Sequence, residues 1–312
     1  MTVHRCSSVV FLAVFVMGFL FGGCATPGTP AHDTGTAPDE NFHIYIAFGQ
    51  SNMQGPGGVE AQDLEGISSR FRVLNVISDI YNGEYRAPGQ WYRAVPPLII
   101  PDKNKINWKG LPTGLSPVDY FGRTLTENTQ DTVKIGVIAI ASGDLALAAF
   151  DKTRAFEYYD NGASATAKQG MDRYNRNMYG SIIQMARIAQ RDGVIKGIIV
   201  HQGESGTGLN NVRWGDLLKT IYNDILSDLG LEPNSIPIIV GQTFNGESGN
   251  TDGDLIIAGH FIPNAHTVSS VGCEGRLEPD GISIDNIHFG SAGLRELGRR
   301  YAYKMLELVY QD

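Results

Sequence analysis

A chain of 312 residues is long enough for one large α/β domain with a well-buried core, and no composition shift in its body argues for a second. Its formal net charge of −8, with Lys and Arg scattered rather than clustered, leaves no electrostatic footprint for nucleic acid, which is not expected as a partner. Apolar and charged fractions of 42% and 19% are those of an ordinary soluble protein and exclude disorder beyond the N-terminal stretch.

That stretch is read first. His4 and Arg5 precede an apolar run from Val9 to Phe21, shorter than the roughly 20 residues needed to span a bilayer. Residues 1–24 therefore read as a signal peptide, not a permanent membrane span. Leu20-Phe21-Gly22-Gly23-Cys24 resembles a bacterial lipobox, with Phe21 where Leu is usual. The resemblance implies export across the inner membrane, lipidation at Cys24 and a membrane-anchored lipoprotein of a bacterial envelope, periplasmic or at the cell surface; plain secretion is the alternative. Residues 25–40 are Pro, Gly, Thr, Ala and Asp in no periodic order, the composition of a flexible linker. Of the three cysteines, at 6, 24 and 273, only Cys273 lies in the body. With no CxxC partner and no neighbouring His it offers neither a zinc site nor a redox pair, and reads as a buried structural thiol.

The folded part is expected at 41–312. His43 to Phe48 is a short apolar run ending at Gly49, and similar runs recur at Arg72 to Ile77, Val133 to Ala141, Gly197 to His201, Ile236 to Gly241 and His266 to Val271. Several are almost continuous Val and Ile, as parallel strands buried on both faces require. Helical spacing marks Asp119 to Asn128, with Ser116-Pro117 as its cap, then Tyr174 to Arg191, Trp214 to Leu229 and Ser291 to Val309. The alternation predicts a doubly wound α/β sandwich with a mostly parallel central sheet, flavodoxin-like in arrangement. The Pro-, Gly- and aromatic-rich segment from Gly83 to Leu115 has no clear period. It reads either as a loop shaping a cleft, with Trp91, Lys103 and Trp108 available to sugar rings, or as packed structure.

In such sheets functional groups collect at the carboxyl ends of strands. Gly49-Gln50-Ser51-Asn52-Met53 ends the first strand and can lift the Ser51 hydroxyl above the sheet edge; the same spacing also suits a helix N-cap. A serine nucleophile needs an imidazole and a group to orient it. Asp285-Asn286-Ile287-His288, just before the last helix, supplies both if its turn brings carboxylate and ring together, and is otherwise an exposed capped turn. His43 lies inside a strand, His260 and His266 lack a nearby carboxylate, and His201 at a strand end is the second choice of base. Gly143, in Ala141-Ser142-Gly143-Asp144, and Gln202, in His201-Gln202-Gly203-Glu204-Ser205, each follow a strand and could donate to an oxyanion; each alone is also an ordinary turn.

Together these blocks resemble the SGNH hydrolase superfamily, in the branch holding carbohydrate esterase family 6 and the sialate O-acetylesterases. Gly49 to Met53 is similar to its nucleophile block, His201 to Ser205 to its third and Asp285 to Phe289 to its last, in family order across nearly the whole mature chain. The resemblance implies a three-layer α/β/α fold, a Ser51-His288-Asp285 triad, no metal and no cofactor. It also implies an oxyanion hole of the Ser51 and Gly143 N–H groups with the Gln202 side chain. Gln202 replaces the Asn of the wider superfamily, as this branch expects, whereas Ser142-Gly143-Asp144-Leu145 departs from the usual Gly-Gly-Thr-Ser turn. Gln50, Asn52 and Glu204 are expected as supporting residues, Glu204 by holding its loop. The implied activity is hydrolysis of O-acetyl esters on an acetylated carbohydrate, as in acetylxylan esterases. The alternatives are a sialate O-acetylesterase, a broad acyl esterase, or a catalytically silent lipid-anchored glycan-binding protein. Composition leaves the oligomeric state open.

Overall fold

The computed structural model describes residues 37–81, 83–99, 113–204, 211–244, 258–276 and 285–311. Cys24, Lys103, Trp108 and Ser205 lie outside them. Among the described residues seven strands form the main sheet: β1 Asp39–Gly49, β2 Phe71–Leu74, β3 Trp91–Arg93, β4 Lys134–Ala141, β5 Gly193–His201, β6 Ile238–Gly241 and β7 Ala265–Val268. Their spatial order is β7-β6-β5-β1-β4-β2-β3, parallel throughout except for β3 at the edge. The expected α/β class and mostly parallel sheet are thus what the chain adopts.

β1 is central, and its residues Ile44 to Phe48 are wholly buried, which is why that run is apolar without alternation. The long helices among the described residues are α1 Pro117–Glu127, α2 Met178–Ala189, α3 Asn211–Asp228 and α4 Ser291–Val309. Successive β1 side chains reach opposite layers. The Tyr45 ring meets Phe121 of α1 edge-on at 5.1 Å, and its hydroxyl meets that of Tyr310, just past α4, at 2.7 Å. Phe48 packs on Phe150 at 5.0 Å, on the side of α2 and α3, which Asp228 joins by accepting from the Tyr179 hydroxyl at 2.6 Å. Burying one such ring stabilises the fold by about 1.5–3 kcal/mol.

The capping expected for α1 is present: the Ser116 hydroxyl accepts from Val118 N, and Asp119 returns a bond from the Ser116 N–H. Other boundaries move for local reasons. α2 starts at Met178, not Tyr174, because Asn175 and Arg176 hold φ of 53° and 61°, and the Asn177 side chain caps the helix by accepting from Gly180 N. β2 stops at Leu74 because the Asn75 amide donates to Ile77 O and Arg86 O and turns the chain. β7 stops at Val268 because Ser269 and Ser270 turn to the Gln242 side chain. The Gly83 to Leu115 segment holds β3, the strand Glu84–Arg86, which forms a hairpin with Asp79–Tyr81 just before it, and Thr113–Leu115, which pairs with Gly57–Gly58. Among the described residues no helix is long and apolar enough to cross a membrane.

The register positions the site. Gly49, the last residue of β1, lies opposite Ala141 of β4 on one side and His201 of β5 on the other. Three strands therefore end at one level, and the segments starting at 50, 142 and 202 leave the sheet side by side.

Candidate active site

The turn after β1 is set by a close approach. A Cβ on Gly49 would lie 2.0 Å from His201 O, so only glycine lets β1 run this near β5. Gln50 N then donates to His201 O at 3.1 Å, and Ser51–Gln54 forms one helical turn. Gly55, at φ 111°, ends that turn by donating its N–H to Ser51 O. Gln50 occupies the N-cap position without capping through its side chain, so Ser51 is the first helical residue and its hydroxyl is not spent as a cap.

That hydroxyl lies 2.9 Å from His288 Nε2. His288 Nδ1 is 3.0 Å from Asp285 Oδ2, while Asp285 Oδ1 accepts from the backbone N–H groups of Ile287 at 2.9 Å and His288 at 2.6 Å. The Asp285 turn thus caps itself and orients its own histidine. A carboxylate only accepts, so the ring proton sits on Nδ1 and Nε2 presents a lone pair to Ser51. Partial burial pushes the Asp285 carboxyl up, but the N–H bonds from His288 and Ile287 and the His288 ring outweigh it, leaving it below the ordinary carboxylate range. Asp285 remains charged where an imidazolium would form.

Asn52 joins this loop to the nucleophile turn. Its Oδ1 accepts from Phe289 N at 3.1 Å, which forces its two amide protons toward Ile287 O at 2.9 Å and Glu204 Oε1 at 2.6 Å. Phe289 is buried edge-on between His201 and Phe244, with centroids at 5.5 and 5.2 Å. Glu204 holds the other end. Burial raises its carboxyl, but the adjacent His201 ring and the Asn52 amide bond outweigh it, leaving it below the usual carboxylate value. The His201 ring is wholly buried, with Nε2 3.0 Å from Glu204 Oε1 but off the line of a hydrogen bond, and Nδ1 3.2 Å from the Tyr301 hydroxyl. His201 is therefore committed beneath the site, and the imidazole that meets Ser51 is His288.

Of the three expected oxyanion donors, Gln202 and Gly143 already have other acceptors. Trp214 Nε1, which can only donate, gives its proton to Gln202 Oε1 at 2.6 Å and so fixes the amide. Gln202 Nε2 then donates to Leu145 O at 3.1 Å and Gln50 Oε1 at 3.3 Å, which uses both protons. Wholly buried and fully bonded, Gln202 ties the three segments together and does not offer its amide to Ser51. Gly143 is close: a Cβ there would lie 3.9 Å from Ser51 Cβ, but its N–H donates to Gln54 Oε1 at 2.8 Å. The Gly143 loop is held by helix Ala165–Asp172, where a Cβ on Gly170 would lie 2.0 Å from Ser142 Oγ, and by Ser164, which bonds Asp144.

The sequence analysis gave no site role to Gln54, Trp214 or Phe289. Gln54 carries one legible signal, its i+3 spacing from Ser51 on the same helical face. Among the described residues no three His, Cys, Asp or Glu side chains cluster to hold a metal ion.

The family model described as carbohydrate esterase, sialic acid-specific acetylesterase matches residues 41–307. The chain belongs to this family. It is accordingly a carboxylic ester hydrolase of the carbohydrate acetylesterase kind, and the suspected branch of the SGNH hydrolases is the right one. The family's fold recurs in solved structures. The crystal structure of NanS is similar at a TM-score of 0.60 and 16% identity, over 88% of this chain and 98% of that one. A protein from Arabidopsis thaliana is similar at 0.54 and 20%, over 87% and 100%. A carbohydrate acetylesterase from Xanthomonas citri, XAC1771, gives 0.53 and 17%, over 86% of this chain and 57% of that one.

Proposed function

We propose that this esterase removes acetyl groups from carbohydrate through an acyl-enzyme on Ser51. The observation that carries the reading is the unbroken line from Ser51 Oγ through the His288 ring to Asp285, at 2.9 and 3.0 Å. Ser51 Oγ attacks the acetyl carbonyl carbon as His288 Nε2 takes its proton, and Asp285 steadies the imidazolium without accepting that proton. The tetrahedral oxyanion is met by backbone N–H groups, that of Ser51 at the open start of its turn and that of Gly143 beside it. Collapse expels the sugar alkoxide, which leaves with the proton from His288. Water, deprotonated by His288, then attacks the acyl carbon and releases acetate. Gln202, Asn52 and Glu204 hold these groups in register and take no proton. The lipobox-like stretch ending at Cys24 supports a place on a bacterial envelope.

The family's description favours O-acetylated sialic acid as a second substrate class beside acetylated xylan. Acetate release should be measured on acetylated xylo-oligosaccharides, O-acetylated sialic acid and p-nitrophenyl esters of increasing acyl length. The expected result is turnover of acetylated sugar, falling as the acyl chain lengthens, and a loss on the order of 10⁴-fold or more in kcat for Ser51→Ala. Undiminished acetate release by Ser51→Ala would contradict the mechanism.

A further inference from the structure

Gln54 sits three residues after Ser51 on the same helical turn, half-buried, with its side-chain oxygen 2.8 Å from Gly143 N. A Cβ at Gly143 would lie 3.9 Å from Ser51 Cβ and 3.7 Å from Gln54 Oε1, so Gly143 borders the nucleophile and Gln54 alike. An amide oxygen is the same kind of acceptor as an ester carbonyl oxygen, and a backbone N–H has one proton to give. Both oxygens therefore compete for one donor. Among the described residues Gln54 makes no second side-chain hydrogen bond, so this single contact is what holds it in place.

We propose that Gln54 is an internal stand-in for the substrate carbonyl, occupying the Gly143 N–H until an ester bound at Ser51 displaces it. The inference rests on the acyl-enzyme reading above and adds a gate to it. Ester approach turns the Gln54 side chain outward, and the Gly143 proton passes from one carbonyl oxygen to the other. Between turnovers the polar N–H beside Ser51 stays satisfied, and acylation proceeds only for an ester that wins the exchange. Gln54 acts through Gly143 and touches no reacting atom during the chemical step, so it is a positioning residue.

The test is the second-order rate of acylation by p-nitrophenyl acetate, read as the burst of p-nitrophenol from the full chain and three variants. Gln54→Met keeps the side chain's bulk without a strong acceptor, Gln54→Ala removes both, and Gln54→Glu presents a charged acceptor that grips the N–H more firmly. One net hydrogen bond sets the scale, so Gln54→Met and Gln54→Ala are expected to acylate about three- to tenfold faster, and Gln54→Glu more slowly by a similar factor. A boronic acid that forms an oxyanion on Ser51 should bind the first two variants more tightly by the same margin. A merely structural role moves these readouts in the other direction. Slower acylation and weaker boronate binding in Gln54→Met and Gln54→Ala, with the wild type still acylated, overturns the gate alone. A wild type that is never acylated at Ser51 overturns both the gate and the reading beneath it.

Discussion

Asp285 uses both carboxylate oxygens, and their separate tasks decide what a change of one atom there would do. Oδ1 takes the two backbone N–H groups of its own turn, whereas Oδ2 faces His288 Nδ1. In Asp285→Asn the amide oxygen must stay with the N–H groups, which only donate, so the new NH2 is turned toward Nδ1. The ring then moves its proton to Nε2 and has no lone pair for the Ser51 hydroxyl. The expected loss is about 10⁴-fold in kcat on an acetylated sugar, with the thermal melt near that of the wild type. A variant within a few-fold of wild-type kcat would mean that His288 does not act as the base. The same one-atom logic explains why Asn52 serves where Asp would not: two acceptors and one donor surround it, which only an amide can match.

At the scale of elements, the last helix α4 is fastened to the loop region beyond β1 by a buried charge cluster. Arg295 donates to both oxygens of Asp63 and to Glu60, each at 2.8 Å, and the Tyr120 hydroxyl adds a bond to Asp63 at 2.9 Å. Asp63 has no exposed side-chain surface and Arg295 has 8%. Removing one partner of such a pair leaves a buried charge alone, so Arg295→Met should cost about 3–5 kcal/mol in denaturant unfolding. The pH dependence has a definite sign. Burial raises the Asp63 carboxyl, but Arg295 and the Glu60 N–H hold it below its ordinary 3.8. Its stabilising contribution is therefore full above the unfolded value and is lost as pH falls through the lower folded value. Without Arg295, burial acts unopposed and acid unfolding should begin at a higher pH than in the wild type. Equal stability and an unchanged acid limb would show that the cluster does not fasten α4. Because the His288 turn leads directly into α4, a loosened helix should also broaden the site.

For the molecule as a whole, the central strands could be read from the chain because burial on both faces leaves an unbroken run of Val, Ile and aromatic residues. The segments after Gly49, Ala141 and His201 were legible because each follows such a strand and the parallel register carries the three to one level, whereas Asp285 and His288 were legible from their spacing just before the last helix. What escaped had no periodic signature. β3 has three residues, too few to show alternation, and the eight-residue helix Ala165–Asp172 buries Ala167, Gly170 and Met171, with a near approach to Ser142 requiring glycine at 170, so its inward face carries no long apolar stripe. Hydrogen-bond partners chosen by proximity were equally hidden. Nothing near Gln202 in the chain announces that Trp214 will fix its amide, or that the Gly143 N–H will be answered by Gln54.

The central claim is that Ser51, activated by His288, carries the acyl group. Reaction of the intact chain with a serine-directed phosphonate, followed by peptide mass mapping, tests it most directly. The account predicts one stoichiometric adduct, on the peptide containing Ser51, lost in Ser51→Ala and formed far more slowly in His288→Ala. An adduct on a different serine, or full acetylesterase activity surviving complete modification of Ser51, would contradict it.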